Sequence, residues 1–172
     1  MTDLVSRIKG ARNFFENIVA AIPGFKGYVE RSNRRDADKL LRATIASRYE
    51  EQWSRISELQ RRLVAEGQIE HVDDLEASVM KLRMLVDRVR HAAYGYSGFF
   101  DAVKVNEAEL NKLYEYDSAL LDKVAQVTSA VDNVSASIGS DGLPAAIRNL
   151  AALAQECVDT FERRGEVILA SG

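Results

Sequence analysis

ADKLLRATIASRYEEQWSRISELQRRL, residues 37–63, is the stretch that decides the fold. Its apolar stripe runs Ala37, Leu41, Ile45, Tyr49, Trp53, Ile56, Leu59, Leu63, in steps of four, four, four, four, three, three and four. Such steps follow the 3.6-residue α-helical turn. With a start at Ser32 or Asn33 and a stop near Gly67, the segment makes a helix of about nine turns at roughly 3.6 residues each.

The same spacing recurs on both sides. A helix capped by Asp73, with Glu76 three residues on as in a capping box, carries Leu75, Val79, Leu82, Val86, Val89 and Ala93. Another opens at Asn106 with Glu109 and runs Leu110, Leu113, Asp117, Leu120, Val124, Val127, Val131, Val134, Ile138, until Gly139 and Gly142 break it. Pro144 suits the first turn of the last helix, which reads Ile147, Leu150, Ala154, Cys157, Phe161, Gly165, Ile168. Upstream, residues 3–20 form an amphipathic helix weakened by Gly10 and ended by Ile22-Pro23-Gly24, and residues 25–32 read as a connector. There is no alternating strand pattern of useful length and no internal repeat.

The fold class expected is all-α: an elongated antiparallel bundle of four longer helices plus an N-terminal amphipathic helix. Residues 1–24 are that helix and residues 25–172 the bundle domain. Short connections make neighbouring helices antiparallel, and three-four spacing favours shallow crossings. At the corner YGYSGFF, residues 94–100, two glycines let the chain reverse. Tyr94, Tyr96, Phe99 and Phe100 can plug the bundle end, with Tyr114 and Tyr116 beside them, or they can form a protein-recognition surface.

Composition narrows the class. The 172 residues are 47% hydrophobic and 28% charged, which suits one globular domain. One cysteine excludes an internal disulfide framework. No apolar run reaches the roughly 20 residues of a bilayer span, and the N-terminus lacks a signal-peptide pattern. The expectation is a cytoplasmic protein of a prokaryote, possible also at the inner face of the membrane. Net charge is −3, but residues 1–42 hold nine Lys/Arg against five Asp/Glu, and the rest holds 14 against 21. A basic end on an acidic body invites an anionic partner; a solvated mixed-charge helix is the plainer alternative.

Catalytic chemistry finds little support. A di-iron bundle needs Glu-x-x-His motifs, and the two histidines, His71 and His91, are preceded at that spacing by Gln68 and Arg88. Two His and one Cys do not make a structural zinc site, and no phosphate-binding glycine loop occurs. No metal and no cofactor are expected. Asp87 and His91 are four apart and can make a surface pair. Cys157 falls on an apolar stripe, as a buried thiol does. Asp117 is a charge on an inner face and needs a partner such as Arg42 or Arg90.

Two features point to binding. In RSNRRDADKLLR, residues 31–42, Arg31, Arg34, Arg35, Lys39 and Arg42 recur at helical spacings and can hold phosphates, unless Asp36 and Asp38 absorb them in local ion pairs. No aromatics interleave with them, which ranks nucleic acid below lipid or protein. The first helix offers Phe14, Phe15 and Ile18 beside these charges, the composition of an interfacial membrane helix; packing on the bundle is the alternative.

The stretches IPGFKGYVERSNRRDADKLLR, residues 22–42, and YGYSGFFDAVKVNE…LYEYDSALL, within residues 94–121, resemble a little-characterised prokaryotic family of helical-bundle proteins. That resemblance implies a small helical protein of a kind sometimes linked to membrane-scaffold systems of the band-7 or phage-shock type, and it brings no catalytic activity with it.

The functional expectation is a non-enzymatic helical adaptor. It engages an anionic membrane surface or a membrane-bound scaffold through Phe14, Phe15, Ile18, Arg31, Arg34, Arg35 and Lys39. The alternative is a self-assembling or partner-binding module with no membrane role, using the aromatic corner and the Trp53 face. A protein partner or a homo-oligomer is expected, a small-molecule substrate is not, and an enzyme of unrecognised type ranks last.

Overall fold

The computed structural model describes residues 2–31, 34–91 and 107–170. Among these the chain is all-α: α1 Thr2–Ala21, α2 Phe25–Glu30, α3 Arg34–Ala65, α4 Val72–His91, α5 Glu107–Ser137 and α6 Leu143–Ala170, with a 3₁₀ turn at Ile69–His71. α3 packs on α4 and α5, and α6 packs on the same two helices. α1 lies against α5, and α2 against α3.

One core joins these helices. Leu41, Ile45, Tyr49 and Ile56 meet Leu75, Leu82 and Leu85 of α4, Val127 and Val134 of α5, and Leu150, Ala154 and Cys157 of α6. Ile18 and Ile22 from the N-terminal segment join the same cluster. The three-four stripes thus mark the faces that bury.

Helix ends explain the turns. Gly67 adopts φ 77°; its N–H donates to the Val64 carbonyl at 3.1 Å, and the Gln68 N–H reaches the Leu63 carbonyl at 2.8 Å. This is the Schellman arrangement, which satisfies the last carbonyls of α3. Gly139, after α5, adopts φ 84°. Pro144 stands in the first turn of α6, where its missing N–H costs nothing.

Two expectations need correction. Residues 25–30, read as a connector, are the short helix α2. Gly24 at φ 87° turns the chain so that Phe25 drops wholly into the core, and its N–H reaches the Ile22 carbonyl at 3.3 Å. Asp73 does not cap α4. The 3₁₀ turn carries the chain into the helix one residue early, at Val72, so Asp73 and Asp74 sit inside the first turn, where their charge still suits the helix dipole. The start at Asn106, Ala93 and the corner holding Tyr94, Tyr96, Phe99 and Phe100 fall outside the described residues.

Candidate functional site

The densest chemistry in the structure is a buried charge network at the end of the bundle where α3 begins. Arg164, on α6, is 1% exposed, and Asp117, on α5, is 2% exposed. The Arg164 Nε donates to Asp117 Oδ1 at 2.5 Å, and its Nη2 to Asp117 Oδ2 at 3.1 Å. Nη2 also reaches Asp38 Oδ1 at 3.3 Å, and Asp38 Oδ2 accepts from Arg42 Nε at 2.7 Å. Three helices therefore contribute two acids and two bases that neutralise each other out of water.

Burial works against the charged form of both central partners. It pushes the Asp117 carboxyl well above the usual carboxylate range; Asp38 adds to the rise and Arg42 opposes it. It pulls the Arg164 guanidinium down to about 10, against the stabilising charge of Asp38. Arg164 is still protonated at neutral pH, so the two-point guanidinium–carboxylate fork holds a charged donor against Asp117.

A second buried polar contact lies along the same seam. Tyr49 Oη donates to the Leu120 carbonyl at 2.5 Å and lies 3.5 Å from Cys157 Sγ. Burial raises the Tyr49 phenol well above its ordinary value, and the thiol of Cys157 rises for the same reason. A fully buried thiol with a raised pKa is poorly suited to nucleophilic attack.

The residues expected to touch a partner divide. Ile18 is wholly buried. Phe15 is partly buried and packs its ring 5.8 Å from Phe25 and 5.7 Å from Tyr114. Phe14 is half-buried. Asn17 binds Ser118 Oγ at 2.7 Å and Asp122 Oδ1 at 3.2 Å, so polar contacts reinforce the apolar docking of α1 on α5. Arg31 and Lys39 are exposed. The side chains of Arg34 and Arg35 lie outside the described set. Arg42 turns inward to Asp38, which realises the local-pair alternative for that residue. Asp117 finds Arg164 rather than Arg90, which pairs with Glu50. His91 Nδ1 lies 2.7 Å from the backbone carbonyl of Asp87, not its carboxylate.

A shallow groove of about 490 Å³ runs between α5 and α6, lined by Ala125, Gln126, Ser129, Ala130, Asn133, Asn149 and Leu153. It holds no acid, base or thiol. Among the described residues no cluster of three His, Cys, Asp or Glu side chains can hold a metal ion, and no helix is long and apolar enough to cross a membrane.

The exposed apolar side chains are unevenly spread. Val64, Ile69, Met80 and Met84 stand out from the α3–α4 hairpin, with exposures of 54%, 65%, 62% and 38%. Only Tyr28 joins them from elsewhere among the described residues. Sequence reading missed the two methionines because it followed the inward stripe of α4; their four-residue spacing on the outward face was the available signal. No family model, curated protein or solved structure matches this chain.

Proposed function

We propose that this chain is a non-enzymatic helical interaction module that binds a protein partner through its α3–α4 hairpin. In this reading it is an antiparallel bundle of four longer helices carrying the N-terminal amphipathic helix. The pairs Asp117–Arg164 and Lys123–Glu156 between α5 and α6, and Gln60–Glu76 and Glu50–Arg90 between α3 and α4, support that topology. In each hairpin the residue numbers rise on one helix as they fall on the other.

The observation that carries the reading is the distribution of exposed apolar groups. Of the side chains expected to enter lipid, Ile18 is wholly and Phe15 largely spent on the bundle, while among the described residues four of the five exposed large apolar side chains lie on one hairpin. Clustered apolar exposure marks interaction surfaces, and methionine adapts to varied partners. A photo-crosslinking residue at Met80 should form protein adducts in cells, whereas one at Gln155, on α6, should not. Equal labelling from both positions, or none, would overturn the reading.

The exposed Arg31 and Lys39, with Lys26 and the partly exposed Tyr28 nearby in sequence, favour a second reading: attraction of the basic end to an anionic membrane. Flotation of the full chain with phosphatidylglycerol-rich vesicles tests it. Salt-sensitive binding lost in Arg31→Glu/Lys39→Glu supports the membrane reading, and absence of binding at low salt removes it.

A further inference from the structure

The α3–α4 hairpin engages its bases and leaves its acids open. Six Lys and Arg lie between Gln60 and His91: Arg61, Arg62, Lys81, Arg83, Arg88 and Arg90. Four of them are held by their own chain. Arg62 pairs with Glu66 at 3.0 Å, Arg88 with Glu162 at 2.6 Å and Arg90 with Glu50, while Arg83 lies over the Trp53 ring, 5.5 Å from its centroid. Six acids share the stretch, and among the described residues only Glu66 meets a Lys or Arg. Glu70 and Asp74 stand near His71, at 3.6 and 3.9 Å, and Glu76 accepts from Gln60 at 2.8 Å. The carboxylates of Asp73 and Asp87 are exposed and have no such partner among the described residues. From Leu63 to Met80 the chain has five acids and no Lys or Arg.

These acids border the exposed apolar groups. At roughly 100° per residue, Asp73, Met80, Met84 and Asp87 fall within about 60° of one another around α4. Glu76 lies beside them on the side of α3, as its bond with Gln60 shows. Val64 stands one turn beyond Gln60 on α3, towards the hairpin tip that carries Ile69 and Glu70. From the level of Asp73 to Met84 the face is about 16 Å long, about three turns of a helix.

We propose that this face receives a basic amphipathic helix of another protein. The apolar side chains of that helix lie on Val64, Ile69, Met80 and Met84, and its Lys or Arg side chains reach Glu70, Asp73, Glu76 and Asp87. The inference rests on the reading of the hairpin as an interaction surface and names the chemistry of what binds there. Charge complementarity selects the sign: a basic helix supplies the missing counter-ions, whereas an acidic one sets like charge on like. Arg61 and the half-buried Lys81, the two bases not engaged, leave the acids in excess. Methionine moulds to apolar side chains of varied shape, as a helix laid in a groove requires. The basic helix α1 of a second copy, with Arg7, Lys9 and Arg12, is already taken, because Phe15 and Ile18 pack it into its own bundle.

The test is fluorescence anisotropy of two labelled peptides of about 18 residues, with leucine along one helix face and either lysine or glutamate elsewhere. The lysine peptide should bind the full chain saturably, and the glutamate peptide should not. Asp73→Lys/Asp87→Lys should weaken binding of the lysine peptide at least about tenfold, as should Met80→Ser/Met84→Ser. Glu51→Lys/Glu58→Lys makes the same change of charge at exposed positions, each two residues before Trp53 or Gln60 and so about 200° round α3 from the face. It should leave binding within about twofold. Helical content and unfolding midpoint are checked for each variant. Equal weakening by both lysine pairs would mean attraction to overall charge and overturns the site, as does an absence of saturable binding up to about 300 µM. Adducts from position 80, mapped by fragmentation, should lie in an apolar segment rich in Lys or Arg. Protein adducts in a segment without such bases overturn the basic partner and leave the interaction-module reading standing. No protein adduct from position 80 overturns both.

Discussion

Arg164 and Asp117, 47 residues apart in sequence, form a two-point clasp with no solvent around it. A buried ion pair loses hydration on both sides, and its mutual attraction repays that only in part. Breaking it from one side should be far more harmful than removing it. Arg164→Met should lower stability by about 3–5 kcal/mol, because Asp117 is left buried without its main counter-ion. The double variant Asp117→Leu/Arg164→Met should recover most or all of that loss. Urea unfolding of the single and double variants measures the coupling; additive losses would show that the pair acts as two independent groups.

The same clasp sets the sign of a pH effect. A raised folded-state pKa at Asp117 gives stability that is fully present below the ordinary carboxylate value and is lost as pH rises through the raised one. Arg164→Met takes a hydrogen-bonded positive charge from beside the carboxyl, which pushes its pKa further up. The variant should therefore regain stability relative to wild type as pH falls from 8 towards 5. An unchanged gap across this range would mean that Asp117 does not take up a proton there.

Tyr49 and Cys157 give the opposite end of the scale. Both raised values favour the fold below the ordinary 9.0 of the thiol and 10.0 of the phenol, and this favour disappears as pH climbs through the raised values. Stability should decline above pH 9, with a slope of up to about 1.4 kcal/mol per pH unit for each group. Tyr49→Phe should flatten the steeper part. At neutral pH the same variant should cost about 1–2 kcal/mol through the lost bond to the Leu120 carbonyl.

Two glycines should answer the same substitution with opposite signs. At Gly67, φ 77° strains any side chain although the surrounding space is open, so Gly67→Ala should cost about 1–2 kcal/mol. Gly165 lies inside α6 with nothing within 4 Å of an added Cβ. Gly165→Ala should gain about 0.5–1 kcal/mol by reducing the freedom of the unfolded chain. Thermal unfolding midpoints moving in the same direction would refute the distinction.

Ile18 tests the docking of α1. Ile18→Ala should destabilise the whole chain by about 2–4 kcal/mol, as expected for a truncation in a shared core. An unchanged unfolding transition would mean that α1 contributes nothing to that core.

Periodicity made the helices legible. Leu41, Ile45, Ile56 and Leu63, or Leu75, Val79, Leu82 and Val89, repeat at the helical period and are buried where the period puts them. Cys157 and Asp117 were legible as inward positions for the same reason. Partners were not. Nothing local ties Asp117 to Arg164, because their meeting depends on how α5 and α6 pair. Arg42 read as one of a row of surface bases, yet one face of α3 turns it towards Asp38 while Lys39 stays outside. Phe25 read as part of a connector because the glycines around it mask a single buried turn.

The polar cross-links carry a consequence for uniqueness. Apolar stripes repeat at every turn, so a helix can slide by about 5.4 Å against its neighbour and still bury grease on grease. Such a ladder is degenerate. Arg164 on Asp117 and Asp38, and Arg55 on Asp132, each fit at one rung only. A one-turn slip between α3 and α5 would separate Arg55 from its acid. These contacts work like the teeth of a key, turning many nearly equal stackings into one.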